Sequence, residues 1–183
     1  MSETVERWRD VWNSPRGHRW RRLSYWGLML GLLGVIVWRY TPDYRLPDLG
    51  PAPDLTGVSL DGEPVRLGAM CGTVVVLNVW ATWCPPCVVE TPGFVDLAND
   101  FEGEVQFVGL AAEDDEAAVR DFGARYEVPY PLVMMRTLDG PLPDGRVLPT
   151  TLVIDKQGRV RMRHEGLLLE PALRPVLKRL SRE

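Results

Sequence analysis

Residues 80–94 read WATWCPPCVVETPGF, and the order of residue types in this stretch decides the fold. Trp80 closes the run Thr73–Trp80 (TVVVLNVW), which is short, β-branched and uncharged and so reads as a buried central strand. Helical spacing begins at Cys84 and continues to about Phe101. The C-x-x-C pair therefore stands at a strand-to-helix turn, with Cys84 at the helix N-terminus. There, free N–H groups and the positive end of the helix dipole favour a thiolate. A thiolate attacks disulfides, whereas a thiol does not. Cys87, one turn further on, is close enough to displace a partner from a mixed disulfide, so the arrangement reads as a redox switch.

Working outward, strand and helix signals alternate. Val105–Leu110 (VQFVGL) is a second apolar strand, Asp115–Tyr126 has helical spacing, and Leu132–Met135 is a short strand. Thr150–Ile154 and Val160–Arg163 flank the turn Asp155-Lys156-Gln157-Gly158, and Glu170–Leu180 closes the chain as a helix. Upstream, Asp61-Gly62 between Leu55–Leu60 and Pro64–Leu67 marks a small hairpin. The pattern is that of an α/β domain with a mixed central sheet flanked by helices.

The first forty residues differ in character from the rest. They hold seven Arg against three acids, and the remaining residues hold fourteen Lys and Arg against twenty-two Asp and Glu. Leu23–Trp38 (LSYWGLMLGLLGVIVW) is free of charge and flanked by Arg16, Arg19, Arg21 and Arg22 on one side and Arg39 on the other. As a helix, these residues reach about 24 Å, and snorkelling arginines with Trp26, Trp38 and Tyr40 at the interfaces make up the difference to a bilayer core of ~30 Å. No small-residue cleavage site follows, against a cleaved signal peptide, and all faces are apolar, against an amphipathic globular helix. The expectation is a basic cytoplasmic tail at 1–22, a transmembrane anchor at 23–40, a linker at 41–52 and a folded domain at 53–183. The linker reads as a spacer because Pro42, Pro47 and Pro51 favour extended backbone. The positive-inside rule puts the N-terminus in the cytoplasm and the domain on the far, extracytoplasmic side.

Other chemistries fit poorly. Nothing in the acidic body clusters Lys or Arg with interleaved aromatics, so no nucleic-acid surface is expected. One C-x-x-C, with His18 and His164 as the only histidines, does not complete a zinc tetrahedron, and neither histidine pairs evidently with a cysteine for hydrolase chemistry. A Cu(I) site on both thiolates stays open, because soft thiolates select that ion.

Trp80-Ala81-Thr82-Trp83-Cys84-Pro85-Pro86-Cys87, with Glu90 and Pro92 following and Leu148-Pro149-Thr150-Thr151 downstream, resembles the membrane-anchored, extracytoplasmic thioredoxin-like proteins of the TlpA/ResA/CcmG type. The resemblance covers roughly residues 53 to 183. It implies a thioredoxin-like fold, a reversible Cys84–Cys87 disulfide with no other cofactor, and a cis Pro149 facing the pair. A cis proline there presents the backbone of Leu148 at a sheet edge for pairing with a substrate peptide. Trp83, Pro85, Pro86, Leu148 and Pro149 are accordingly the expected substrate-binding residues, and Trp80 is assigned to packing. Implied partners are protein disulfides, in apocytochrome c or copper-centre assembly proteins, and a membrane thiol reductant that supplies electrons.

Further features bear on the chemistry. Pro85 and Pro86 lack N–H groups, so two amides that could stabilise a Cys84 thiolate are missing and the couple is expected to be reducing. Asn78 stands where ordinary thioredoxins, by resemblance, carry a buried Asp. The resemblance instead implies an acid near the end of the next strand, with Glu113 the first choice and Asp114 the second; the same residues also read as the solvated acidic start of a helix. Cys71 is separated from the pair by a strand of about 26 Å, too far for a disulfide. It reads as a half-buried inert thiol, or else as a site of intermolecular bonding. The function expected is that of a membrane-tethered thiol-disulfide oxidoreductase acting as a reductant. The alternatives are a Cu(I)-handling module and a dithiol oxidase or isomerase.

Overall fold

All seven residues of strand β3 (Val74–Trp80) are buried, as a strand covered on both faces requires. The computed structural model describes residues 25–33, 46–141 and 147–183. β3 pairs parallel with β4 (Val105–Ala111), from Val74 opposite Val105 to Trp80 opposite Ala111. On its other side it pairs antiparallel with β6 (Thr150–Ile154). β5 (Leu132–Met134) lies parallel beside β4, and β7 (Val160–Glu165) lies antiparallel beside β6. The sheet order is β5-β4-β3-β6-β7. The upstream hairpin forms a separate antiparallel pair, β1 (Thr56–Val58) and β2 (Pro64–Arg66).

Period-two alternation divides β3 between two cores. Val75, Leu77 and Val79 pack with Leu55, Val65, Val108, Leu110 and Leu152 on one face. Val74 and Val76 face the helical side, where α1 (Pro85–Asp100) contributes Phe94 and Leu97 and α3 (Glu170–Leu180) contributes Leu173, Leu177 and Leu180. A third cluster gathers Trp80, Ala81, Cys84 and Cys87 with Val119 and Phe122 of α2 (Glu116–Arg125). Trp80 is thus a packing residue, its ring centroid 4.6 Å from that of Phe122.

Two expectations change. The folded unit begins at Leu46, not Pro53. Leu49 N–H donates to the Val160 carbonyl (2.9 Å), Val160 N–H to Gly50 (2.9 Å) and Ala52 N–H to Gly158 (2.8 Å), so part of the expected linker lies along β7. Prolines at 47 and 51 do not prevent this, because an edge segment needs donors only at the residues facing its neighbour. Arg161 adds hydrogen bonds from its guanidinium to the Leu46 and Pro47 carbonyls (2.8 and 3.2 Å). Cys71 is exposed rather than half-buried, since it follows the single 3₁₀ turn Leu67–Met70 instead of entering the strand.

In the N-terminal unit, residues 25–33 are helical and their large apolar side chains are exposed. The basic tail 1–22 and the rest of the expected anchor and linker, 23–24 and 34–45, lie outside the described residues. Among the described residues no helix is long and apolar enough to cross a membrane.

Gly109 of β4 marks the tightest packing beside the third cluster. A Cβ there would lie 2.7 Å from Leu132 Cδ2 and 2.9 Å from Trp80 Nε1. Gly109→Ala is expected to destabilise the protein by about 1–3 kcal/mol through overpacking, read as a lower denaturation midpoint at unchanged slope. An unchanged midpoint would show that Leu132 and Trp80 yield without cost.

Candidate active site

β3 ends at Trp80, a three-residue loop follows, and Cys84 caps α1. Cys84 has extended backbone, and its sulfur accepts the Cys87 N–H at 3.4 Å. Pro85 and Pro86 occupy the first turn, where a missing N–H breaks no helical hydrogen bond. Cys84 and Cys87 are joined as a disulfide with their Cα atoms 5.3 Å apart. Both sulfurs are sunk in the third cluster, so the approach runs past what stands around them. Trp83 is 59% exposed and Pro85 is exposed beside it.

The Leu148–Pro149 bond is cis. Pro149 is buried, and Leu148 is half-buried against the cluster that holds both cysteines. Thr150, the next residue, pairs with Val79, which brings the Leu148-Pro149 corner beside the strand end leading to Cys84. β6 lies inside the sheet, between β3 and β7, so this corner is the end of an interior strand and not a lateral edge. The Pro149 carbonyl already accepts the Gly166 N–H at 2.8 Å.

The two expected acids hold the loop. Asp114 accepts the Thr82 N–H at 2.6 Å and the Thr82 hydroxyl at 2.9 Å. Glu113 has φ +47, in the left-handed region, and its carbonyl accepts the Trp83 indole N–H at 3.1 Å. The Glu113 side chain is exposed. Its backbone meets the site, but the structure does not bring its carboxyl into the buried network at the pair.

That place belongs to Glu90, a residue the sequence reading names only as part of the motif. Glu90 is 3% exposed. Asn78 donates from Nδ2 to Glu90 Oε1 at 2.7 Å and to Thr151 Oγ1 at 3.3 Å, and the Leu168 N–H donates to Glu90 Oε2 at 3.1 Å. Glu90 follows Cys87 by three residues, which puts both on one face of α1. That i, i+3 relation to a cysteine is the signal that could have singled it out. Burial pushes its carboxyl up from 4.5 to about 7, although the hydrogen bonds from Asn78 and Leu168 favour the ionised form. A carboxyl balanced near neutrality can take a proton from a neighbouring thiol and give it up again.

This balance couples to stability. Because the folded value lies above the ordinary 4.5, the native state holds the proton more tightly. The stabilisation is therefore full below the unfolded value and is lost as pH rises through about 7. From this group alone, the oxidised protein is expected to lose on the order of 2–3 kcal/mol between about pH 4.5 and 7.5. Glu90→Gln should remove that component, so the variant gains on the wild type as pH rises. Denaturation curves that stay parallel across this range would contradict the assignment.

Comparison with known proteins agrees with this geometry. Residues 46–174 match the Redoxin family. The thioredoxin-like protein YneN of Bacillus subtilis is 30% identical over 151 residues, covering 77% of this chain and 88% of that protein. The thiol-disulfide oxidoreductase ResA of Halalkalibacterium halodurans is 29% identical over 168 residues, covering 90% and 96%. Among solved structures, a thiol:disulfide interchange protein of the thioredoxin family from Chlorobium tepidum superposes with a TM-score of 0.63 at 26% identity, covering 72% of this chain and 95% of that one. A secreted thiol-disulfide isomerase from Corynebacterium glutamicum, at 24% identity and TM-score 0.64 over 79% and 96%, shares the fold. With a disulfide at the tip of α1 in a mixed-sheet domain of this kind, the chain belongs to the Redoxin family and is a ResA/CcmG-like thiol-disulfide oxidoreductase of the thioredoxin superfamily.

Proposed function

We propose that this oxidoreductase is a membrane-tethered, extracytoplasmic reductant of protein disulfides. The observation that carries the reading is the buried Glu90 carboxyl, three residues beyond Cys87 on the helix that presents the pair. In the reduced state, the Cys84 thiolate attacks a substrate disulfide. One substrate sulfur joins Cys84 and the other leaves as a thiolate. Cys87 then loses its proton to the Glu90 carboxylate and attacks the Cys84 sulfur, which releases the second substrate thiolate and closes the Cys84–Cys87 bond. Two electrons have passed to the substrate. A membrane dithiol reductant returns them, and Glu90 gives its proton to solvent.

The direction of flow rests on the helix tip. With prolines at 85 and 86, the amide that meets Cys84 sulfur is that of Cys87, so the thiolate has less stabilisation than a fully amide-lined tip provides and the disulfide is harder to reduce. Trp83, Pro85, Pro86, Leu148 and Pro149 surround the approach and are the proposed contact surface for the substrate polypeptide. The basic tail, the uncharged run and Arg39 favour a single span with the domain on the extracytoplasmic side. By resemblance to the TlpA/ResA/CcmG type, the substrates are apocytochrome c or copper-centre assembly proteins.

A redox titration of Cys84/Cys87 is expected to give a midpoint more negative than about −220 mV; a value above that makes the protein an oxidant or isomerase. Cys87→Ser should accumulate a covalent substrate adduct through Cys84, and Cys84→Ser should abolish insulin reduction. An adduct formed only by Cys84→Ser would reverse the roles of the two thiols. Tight Cu(I) binding without disulfide turnover would instead favour a copper-handling module.

A further inference from the structure

Glu90 is buried and accepts from Asn78 of the sheet, which also donates to Thr151, and from the Leu168 amide of the loop before α3. A proton taken from Cys87 still has to leave that enclosure. The described structure offers one water-sized space at Glu90, a cavity of about 10 Å³ whose lining includes Asn78, Glu90, Thr91, Val128 and Tyr130. That volume is about what a single water requires, and four of these side chains carry polar groups to hold one.

Tyr130 is half-buried and lines the cavity together with Glu90. Its ring stacks on Phe107 with centroids 5.6 Å apart, which fixes its position. Burial and the negative charge of Glu90 both raise the Tyr130 phenol above its ordinary value. Besides Tyr130, the groups around Glu90 are neutral: the Asn78 side chain and the Leu168 amide that bond it, and Thr91 and apolar side chains in the cavity wall.

We infer that Tyr130 is a positioning residue for Glu90, its phenol hydroxyl holding a single water in this cavity that stabilises the Glu90 carboxylate and carries its proton to and from solvent. The inference rests on the reading of Glu90 as the proton acceptor for Cys87. The balance is simple. Resolution moves one proton from Cys87 to Glu90, and the water then passes one proton outward, so Tyr130 is neither consumed nor ionised. Removing the hydroxyl leaves the carboxylate less well solvated, hence harder to form, and raises the pH at which resolution becomes fast.

The test is a single turnover of the reduced protein with Ellman's reagent, followed by absorbance. The first thionitrobenzoate released reports attack by Cys84, and the second reports resolution by Cys87. In the wild type the second release should show an acid limb governed by Glu90, and Glu90→Gln should abolish that limb. Tyr130→Phe keeps the ring on Phe107 and is expected to displace the limb upward by about 0.5–1 pH unit, slowing resolution about 3–10-fold below the limb. Attack by Cys84 should stay unchanged. Val128→Ile, which fills the cavity but leaves the phenol, should displace the limb in the same direction. If Glu90→Gln abolishes the limb while Tyr130→Phe and Val128→Ile leave it in place, the role of Tyr130 is overturned and that of Glu90 stands. If the limb survives in Glu90→Gln, both fall.

Discussion

The hydrogen bond from Asn78 to Glu90 ties the central strand to the helix that carries the redox pair. The core clusters on either side of the sheet are apolar and non-directional, and side chains of similar volume could exchange there at small cost. A buried carboxyl has no such tolerance. Without its donors, the group would lose the partners that offset its removal from water. Asn78 on β3 and the Leu168 amide before α3 therefore specify one position for α1 relative to both, and with it one position for Cys87. The same contacts admit the ionised carboxyl without making it strongly acidic, which leaves it balanced near neutrality three residues beyond Cys87 on α1.

A division of labour among the acids follows. Asp114 binds both the backbone and the hydroxyl of Thr82, and Glu113 offers its carbonyl to Trp83. Together they join the end of β4 to the loop before Cys84 and hold the segment that sets how the disulfide meets the surface. Their carboxyls are half-buried or exposed. Of these three, Glu90 is the one buried in the interior, where desolvation moves a carboxyl furthest from its ordinary value. Asn78 brings no charge of its own, so the network holds one negative charge rather than two in close contact.

The segment from Leu46 to Ala52 extends the domain beyond what its prolines suggest. Its backbone pairs with β7, and Arg161 reaches both its carbonyls and the buried Asp155 carboxylate (2.9 Å). A chain leaving the fold from this strap is restrained along the sheet edge that lies two strands away from β3. Any tether upstream of Leu46 therefore joins the body at a fixed place.

Much of this protein was legible in the residue order. The strand at Val74–Trp80, the cap at Cys84, the helices and the mixed sheet follow from alternation, capping and turn chemistry, all of which act between residues near in sequence. The cis bond before Pro149 came from the resemblance and agrees with the structure. What sequence order did not reveal was which acid would be buried. Glu90, Glu113 and Asp114 are chemically similar, and the one that is buried is set by packing and by a donor as distant as Leu168, 78 residues along the chain from Glu90. The start of the domain escaped for the same reason, because Pro47 and Pro51 report local stiffness and not the edge of β7 waiting beside them. Local periodicity by itself determined the elements and placed the thiols. Only tertiary packing, which sets the distance of each carboxyl from water, decided which acid could serve them.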